Sequence, residues 1–194
     1  MRSFELFEPY TQLLSDLEKL TQALGQKHVA NITCQAGCSG CCLPGLSVFP
    51  VEAASVSAAL AHLAQDNPAL RERVREQSQA ALTQPESQEH CPLLVDDLCS
   101  IYAARPVICH SHGYPIHFQD PEADPQADPD EGEVFLDVCP LNFTAEGALE
   151  SLDLPDTLPI DRLNLRLAAI NHVYCRDVLQ AEAERVDLAE LGAE

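Results

Sequence analysis

Tryptophan is absent from this 194-residue sequence, and aromatic residues of all kinds make up 5% of it. Aliphatic side chains must therefore supply most of any core. No apolar run approaches the roughly 20 residues that a membrane-crossing helix needs. The opening MRSFELFEPY carries acids and alternates too strongly for the apolar segment of a secretion signal. A soluble, cytoplasmic protein is expected, with no membrane partner. Basic residues are scarce as well: 11 Lys and Arg stand against 31 Asp and Glu, for a formal net charge of −20. A nucleic-acid backbone or an anionic lipid surface would repel such a chain, so no nucleic acid is expected as a partner. Between positions 106 and 161 there is no Lys or Arg at all. Residues 120–133, DPEADPQADPDEGE, instead hold seven acids and three prolines. That composition reads as a solvated acidic loop.

What is present begins with a 46% apolar content, enough for one domain spanning residues 1–194 with a core of its own. Phe7, Tyr10, Leu14, Leu17 and Leu24 recur at helical steps and predict a helix over residues 4–24, capped by Gly25. An Ala-rich helix is expected over residues 51–65, entered through Pro50. A further helix should run from the Asn67-Pro68 cap to about residue 82, with Arg71, Arg73 and Arg75 on its solvated face. Asp96-Asp97 suits a tight turn between two short apolar runs. YPIHFQ and EVFLDV predict two strands that flank the acidic loop as a hairpin, the second closed by Cys139-Pro140. A last helix is expected over residues 160–183, with Leu163, Leu167, Ile170, Tyr174 and Val178 in its apolar stripe. Asp161, Asn164 and Asn171 read as its solvated face. The fold class is mainly α with a small β-hairpin, one compact domain organised around a cysteine-rich metal site.

Nine cysteines are the main chemical signal. Structural disulfides are not expected in a reducing compartment, and an odd number cannot pair completely. Four of the nine, Cys34, Cys38, Cys41 and Cys42, fall within CQAGCSGCC. Two thiolates 4 Å apart repel by about 4 kcal/mol at an effective dielectric of 20. Such groups must be protonated, oxidised or bound to a cation. A soft divalent metal selects sulfur, and gaps of two to four residues are those of structural zinc sites. Gly37 and Gly40 give the backbone freedom to wrap an ion. Almost no apolar residue lies beside these cysteines to share a core with them.

Cys91, Cys99 and Cys109, spaced eight and ten apart, are ambiguous by themselves. CQAGCSGCC followed by CPLLVDDLCSIYAARPVICH resembles the YkgJ-type cysteine-cluster family, described as a zinc- or iron-chelating domain. Its signature is CxxCxxCC followed by C…CxIYxxRPxxCR. This chain departs from it in a three-residue first gap and in His110, where an arginine commonly stands. The resemblance implies a metal-binding core of about residues 34–139. It makes Cys34, Cys38, Cys41, Cys42, Cys91, Cys99 and Cys109 the candidate ligands. Cys139 lies outside the signature but ends a strand that can return to the site, and joins the set. Cys175, on the last helix, reads as a packed or exposed thiol. His90, His110 and His112 are lesser candidates beside the cysteines. Arg105 is expected to pair with a carboxylate or a helix end, and Tyr102 to lie in the core.

The cofactor expected is zinc or iron, with an iron–sulfur cluster as an alternative form, and metal chelation is the expected activity. An iron–sulfur redox protein or enzyme is the competing reading, because mixed short cysteine gaps and Cys-Pro also occur around such clusters. The C-x3-C-x2-C spacing of Cys34, Cys38 and Cys41 also resembles the motif of radical SAM enzymes, but the chain lacks their alternating strands and helices. An interaction module, docking through the acidic loop and Ala-rich helices, is a third reading. No nucleophile–base pair or phosphate loop stands out, so no catalytic residue is assigned, and no protein partner is specified.

Overall fold

The computed structural model describes residues 7–119 and 133–194. Helix α1 (Glu8–Lys27) opens with Pro9 in its first turn, where a missing N–H costs nothing. Tyr10, Leu13, Leu17 and Leu24 form its buried face. Gly25 was the expected cap, yet the helix runs on to Lys27, and the His28 N–H closes the last turn on the Leu24 carbonyl. Burial of Leu24 holds the turn that glycine alone would loosen. Residues 28–46 then contain neither helix nor strand, and all four clustered cysteines lie there.

Strand β1 (Ser47–Val48) leads into α2 (Pro50–Asp66) and α3 (Pro68–Thr83). Asn67 separates the two helices and its side chain accepts the Leu70 N–H at 3.1 Å, the expected N-cap. β2 (Leu94–Val95) and β3 (Leu98–Cys99) pair through Asp96 and Asp97, whose φ angles of 52° and 60° make a two-residue type I′ turn. A short helix, α4 (Val107–Ser111), carries Cys109. β4 (Ile116–Gln119) and β5 (Val134–Asp137) form the expected antiparallel hairpin, with Ile116 opposite Asp137 and Gln119 opposite Val134. The expected acidic loop lies, but for Glu133, outside the described residues. β6 (Leu158–Pro159) adds to β4 in parallel and runs straight into α5 (Ile160–Tyr174).

The helix expected over residues 160–183 is shorter. α5 ends at Tyr174, one π-helical turn follows over Cys175–Leu179, and Gln180 takes a left-handed φ of 55°. Val178 is 55% exposed, because no neighbouring element covers that end of the stripe. The chain turns back there to form β7 (Val186–Asp187), antiparallel to β1, and α6 (Leu188–Ala193), neither of which was expected. Both are too short to show a period. Arg71, read as solvated, is buried, and its guanidinium donates to the Gly192 carbonyl of α6 at 2.8 Å. Asn171, also read as solvated, is buried and accepts the Val51 N–H at 3.2 Å.

The fold is thus mainly α, with small sheets at its margins. Three apolar clusters fill it: a small one of Phe143, Ala148 and Leu152, and two larger ones to both of which α2 contributes. One joins Val56, Leu60, Val74, Leu93, Ile101, Leu188 and Leu191, with Cys91 and Cys99 packed at its edge. The other joins Tyr10, Leu13, Leu17, Val51, Val107, Leu158, Leu163 and Leu167. No helix among the described residues is long and apolar enough to cross a membrane.

Candidate metal centre

The cysteine loop is short of regular structure but not of anchors. Cys38 and Cys42 each close a turn, donating their N–H groups to Gln35 and Ser39 carbonyls at 3.0 and 2.9 Å. Gly37, inside the first of these turns, takes a φ of +89°, a conformation that a side chain would strain. Two bonds tie this loop to the β2–β3 hairpin. The Cys91 N–H donates to the Cys42 carbonyl at 2.8 Å. The Ser39 hydroxyl donates to Asp97 at 2.8 Å. Asp96, on the other half of the same turn, holds the Arg73 guanidinium through two bonds of 2.7 Å. The turn therefore clamps the cysteine loop to α3.

Four segments bring Cys42, Cys91, Cys99 and Cys109 into one neighbourhood. Burial pushes the Cys91 thiol up to about 12, and the nearby Cys99 and Cys42 add to the shift. Cys109 is pushed up to about 12 by burial as well, and then by Cys91 and Cys99. Cys42 is raised by burial and next by Cys99, and Cys99 by burial. The cation beside them is Arg105, which pulls Cys42, Cys99 and Cys109 back down. Among the described residues it pairs with no carboxylate; it serves the other expected partner, a helix end, at the single 3-10 turn Tyr102–Ala104. Its guanidinium stacks 3.8 Å from the Tyr102 ring centroid and its Nε donates to the Tyr102 carbonyl at 3.2 Å. Tyr102 is 63% exposed rather than a core residue, because its ring serves as the platform for Arg105.

The remaining candidates sit on the outer side. Burial raises the Cys41 thiol, and the charges of Cys42 and then Cys34 add to the rise. Cys38 adds a small further rise to Cys42. Asn142 organises this side and was missed in the sequence, where one Asn near Cys139 carries no signal. It is buried. Its Oδ1 accepts from the Thr33 N–H at 2.8 Å and the Thr33 hydroxyl at 2.9 Å. Its Nδ2 donates to the Gly113 carbonyl at 2.5 Å and to the Cys34 sulfur at 3.4 Å. The Asn142 N–H in turn closes a turn on the Cys139 carbonyl at 2.8 Å. Asn142 thus fastens the Cys139 turn to the segment that carries Cys34. Gly113 is obligatory here: a Cβ on it would sit 2.5 Å from the Cys34 sulfur.

Cys175 stands apart, 4% exposed, with its thiol donating to Asn171 Oδ1 at 3.6 Å. Of the histidines, His90 and His112 are exposed. His110 is half-buried and held neutral, burial lowering its pKa to about 4, and its Nε2 meets no partner among the described residues.

All nine cysteines are unpaired. Among the described residues, no three Cys, His, Asp or Glu side chains converge tightly enough to form a ready cage for an ion. The donors nevertheless suit a soft cation. They are sulfurs gathered from separate segments, and no described carboxylate competes among them. The half-buried Cys91 and Cys109 thiols stay protonated because burial disfavours their thiolates.

A family model described as "CxxCxxCC: Putative zinc- or iron-chelating domain" matches residues 33–139, more than half of the chain. No curated protein and no solved structure matches it.

Proposed function

The chain belongs to the CxxCxxCC family of zinc- or iron-chelating domains, and we propose that it binds zinc or iron through two groups of thiolates. The inner group is Cys42, Cys91, Cys99 and Cys109, and the outer is Cys34, Cys38 and Cys41 with Cys139. The observation that carries this reading is the electrostatic coupling of four half-buried thiols from four segments: Cys99 raises Cys42, Cys99 and Cys42 raise Cys91, and Cys91, Cys99 and Cys42 raise Cys109. Four sulfurs make one tetrahedral zinc or iron site. A bound divalent cation supplies the positive charge that lets those thiolates coexist. The chain supplies the rest: apolar backing for Cys91 and Cys99, the α4 framework for Cys109, and Asn142 and Gly113 around Cys34. The site works in a reducing compartment, where thiols persist.

The test is anaerobic purification of the full chain, with elemental analysis and a visible spectrum. About one equivalent or more of zinc or iron is expected. A colourless zinc protein and a coloured iron or iron–sulfur protein are separated by the same spectrum. Trace metal alone, with thiols intact, overturns the reading.

A further inference from the structure

β5 ends its sheet without the features that protect an edge. The strand order is β5-β4-β6, so among the described residues no strand pairs with its outer side. The backbone of β4 fixes which groups are left over. The Leu158 N–H donates to the Pro115 carbonyl at 2.8 Å, and the Gln119 N–H to Asp161 at 2.8 Å. Pro115, His117 and Gln119 therefore turn their backbone groups to the β6 side, while Ile116 and Phe118 turn theirs to β5. Opposite those two stand Asp137 and Phe135. By the alternation of an antiparallel ladder, Val134 and Leu136 then aim their N–H and C=O groups at the open edge. Edges are commonly protected by Lys, Pro or a bulge. Here the pairing runs without a bulge, and Val134, Phe135 and Leu136 are apolar and 40%, 39% and 43% exposed. Successive side chains of a strand point to opposite faces, so this edge is apolar on both. Its polar ends are Glu133 and Asp137, both exposed.

We propose that β5 takes up an extended segment of another protein as a further antiparallel strand, apolar at its centre and with Lys or Arg opposite Glu133 and Asp137. The backbone groups of Val134 and Leu136 supply the ladder, and the three apolar side chains supply contact on both faces. Charge selects this occupant. Both ends of the strand are acidic, and no Lys or Arg lies between positions 106 and 161. Opposite charges facing each other across a strand pair stabilise it, and like charges destabilise it. A second copy fits badly for the same reason. Pairing β5 with itself about Phe135 sets Glu133 of each copy against Asp137 of the other, between two chains of net charge −20. Residues 120–132, which join β4 and β5 in sequence, contain only acids, Pro, Ala, Gln and Gly, none of which favours a strand.

The experiment measures fluorescence anisotropy of labelled synthetic peptides with the full-length reduced protein. One peptide places three valines between lysines. A second has proline for the central valine, which keeps the charge and removes a ladder donor. A third has glutamates for the lysines. The valine–lysine peptide should bind, the proline peptide about tenfold more weakly, the size of one or two lost ladder hydrogen bonds, and the glutamate peptide not measurably. Leu136→Pro, which removes an N–H from the open side only, should weaken the valine–lysine peptide by a similar factor. Amide exchange of the wild-type complex provides a readout that does not depend on the variant folding. The Val134 and Leu136 amides should slow on binding, while that of Phe135, already bonded to β4, should change little. Equal binding of the two lysine peptides means attraction by charge alone and overturns the proposal. Failure of the valine–lysine peptide to bind, or slowed exchange elsewhere with Val134 and Leu136 unchanged, overturns it too. A wild-type dimer in sedimentation that Leu136→Pro converts to monomer gives the edge to a second copy, and likewise overturns it.

Discussion

Asn142 shows how much a single amide can hold: four hydrogen bonds from one side chain join Thr33, Cys34 and Gly113. Asn142→Ala strands a buried N–H and a carbonyl, and should cost about 2 kcal/mol of stability in denaturant melts. The same variant should load less metal than wild type, since Cys34 loses its support. Among the thiols, Cys109→Ser should lower both metal content and melting temperature far more than Cys175→Ser. Cys109 comes from the inner group, whereas Cys175 only packs. Equal losses in the two variants would contradict the assignment. A pH dependence follows from Cys91 and Cys109, both moved from 9.0 to about 12. Below pH 9 they are neutral in folded and unfolded chains alike. Between 9 and 12 the unfolded chain ionises first, so metal-free stability should fall as pH rises through that window. Metal uptake has the opposite slope, because each ligand must lose its proton. About four protons should leave per four-thiolate ion, measurable by calorimetry in buffers of different ionisation enthalpy.

Among the elements, α6 meets α3 at a point with no spare room. A Cβ on Gly192 would lie 2.0 Å from the Ser78 hydroxyl oxygen, 2.9 Å from its Cβ and 3.1 Å from Leu93. Gly192→Ala should therefore destabilise the fold by about 1–3 kcal/mol, read as a shift in denaturant midpoint at constant slope. Nothing in the sequence near Gly192 announces this, because the clash depends on a partner more than a hundred residues away. The elements that were legible carry their causes locally: Asn67-Pro68 at a helix start, Asp96-Asp97 in a two-residue turn, and alternation in the strands that flank the acidic segment. Those that were misread answer to distant partners. Arg71 and Asn171 look solvated by period, yet each satisfies a backbone group from another element. The cysteines were readable as a candidate set, since thiol spacing is itself chemical. The polar residues that brace their segments, Glu52 and Asn142, were not, since a lone polar residue in sequence has no address in space.

Across the whole molecule, the cysteine loop depends on what it is tied to. Residues 28–46 have no helix or strand, and their anchors include the hairpin, Asn142, the Phe143 N–H on the Asn31 carbonyl and the Leu188 N–H on the Leu46 carbonyl. Metal removal by a chelator under reducing conditions should raise amide exchange across residues 33–46 more than across α2 or α3. Uniform loosening would instead mean that metal supports the whole fold equally. Trimming residues 122–130 to a short glycine-containing turn should leave metal content unchanged, because carboxylates are hard ligands and the site is sulfur. Elemental analysis of the trimmed protein decides the point.

The pairing of β1 with β7 and the seat of α6 against α3 also bear on how the chain is made. Leu188 and Leu191 complete the apolar cluster that backs Cys91 and Cys99. A ribosome delivers those two leucines only after every candidate ligand from Cys34 to Cys139 has already emerged. For that interval the nascent chain displays its thiols without the wall that later shields them. Oxidation or capture of the wrong metal then competes with completion of the fold. On the metal-binding reading, a fully walled site for the ion exists only once residues 188–191 have emerged, and slow translation of the stretch after Cys139 lengthens the period of risk.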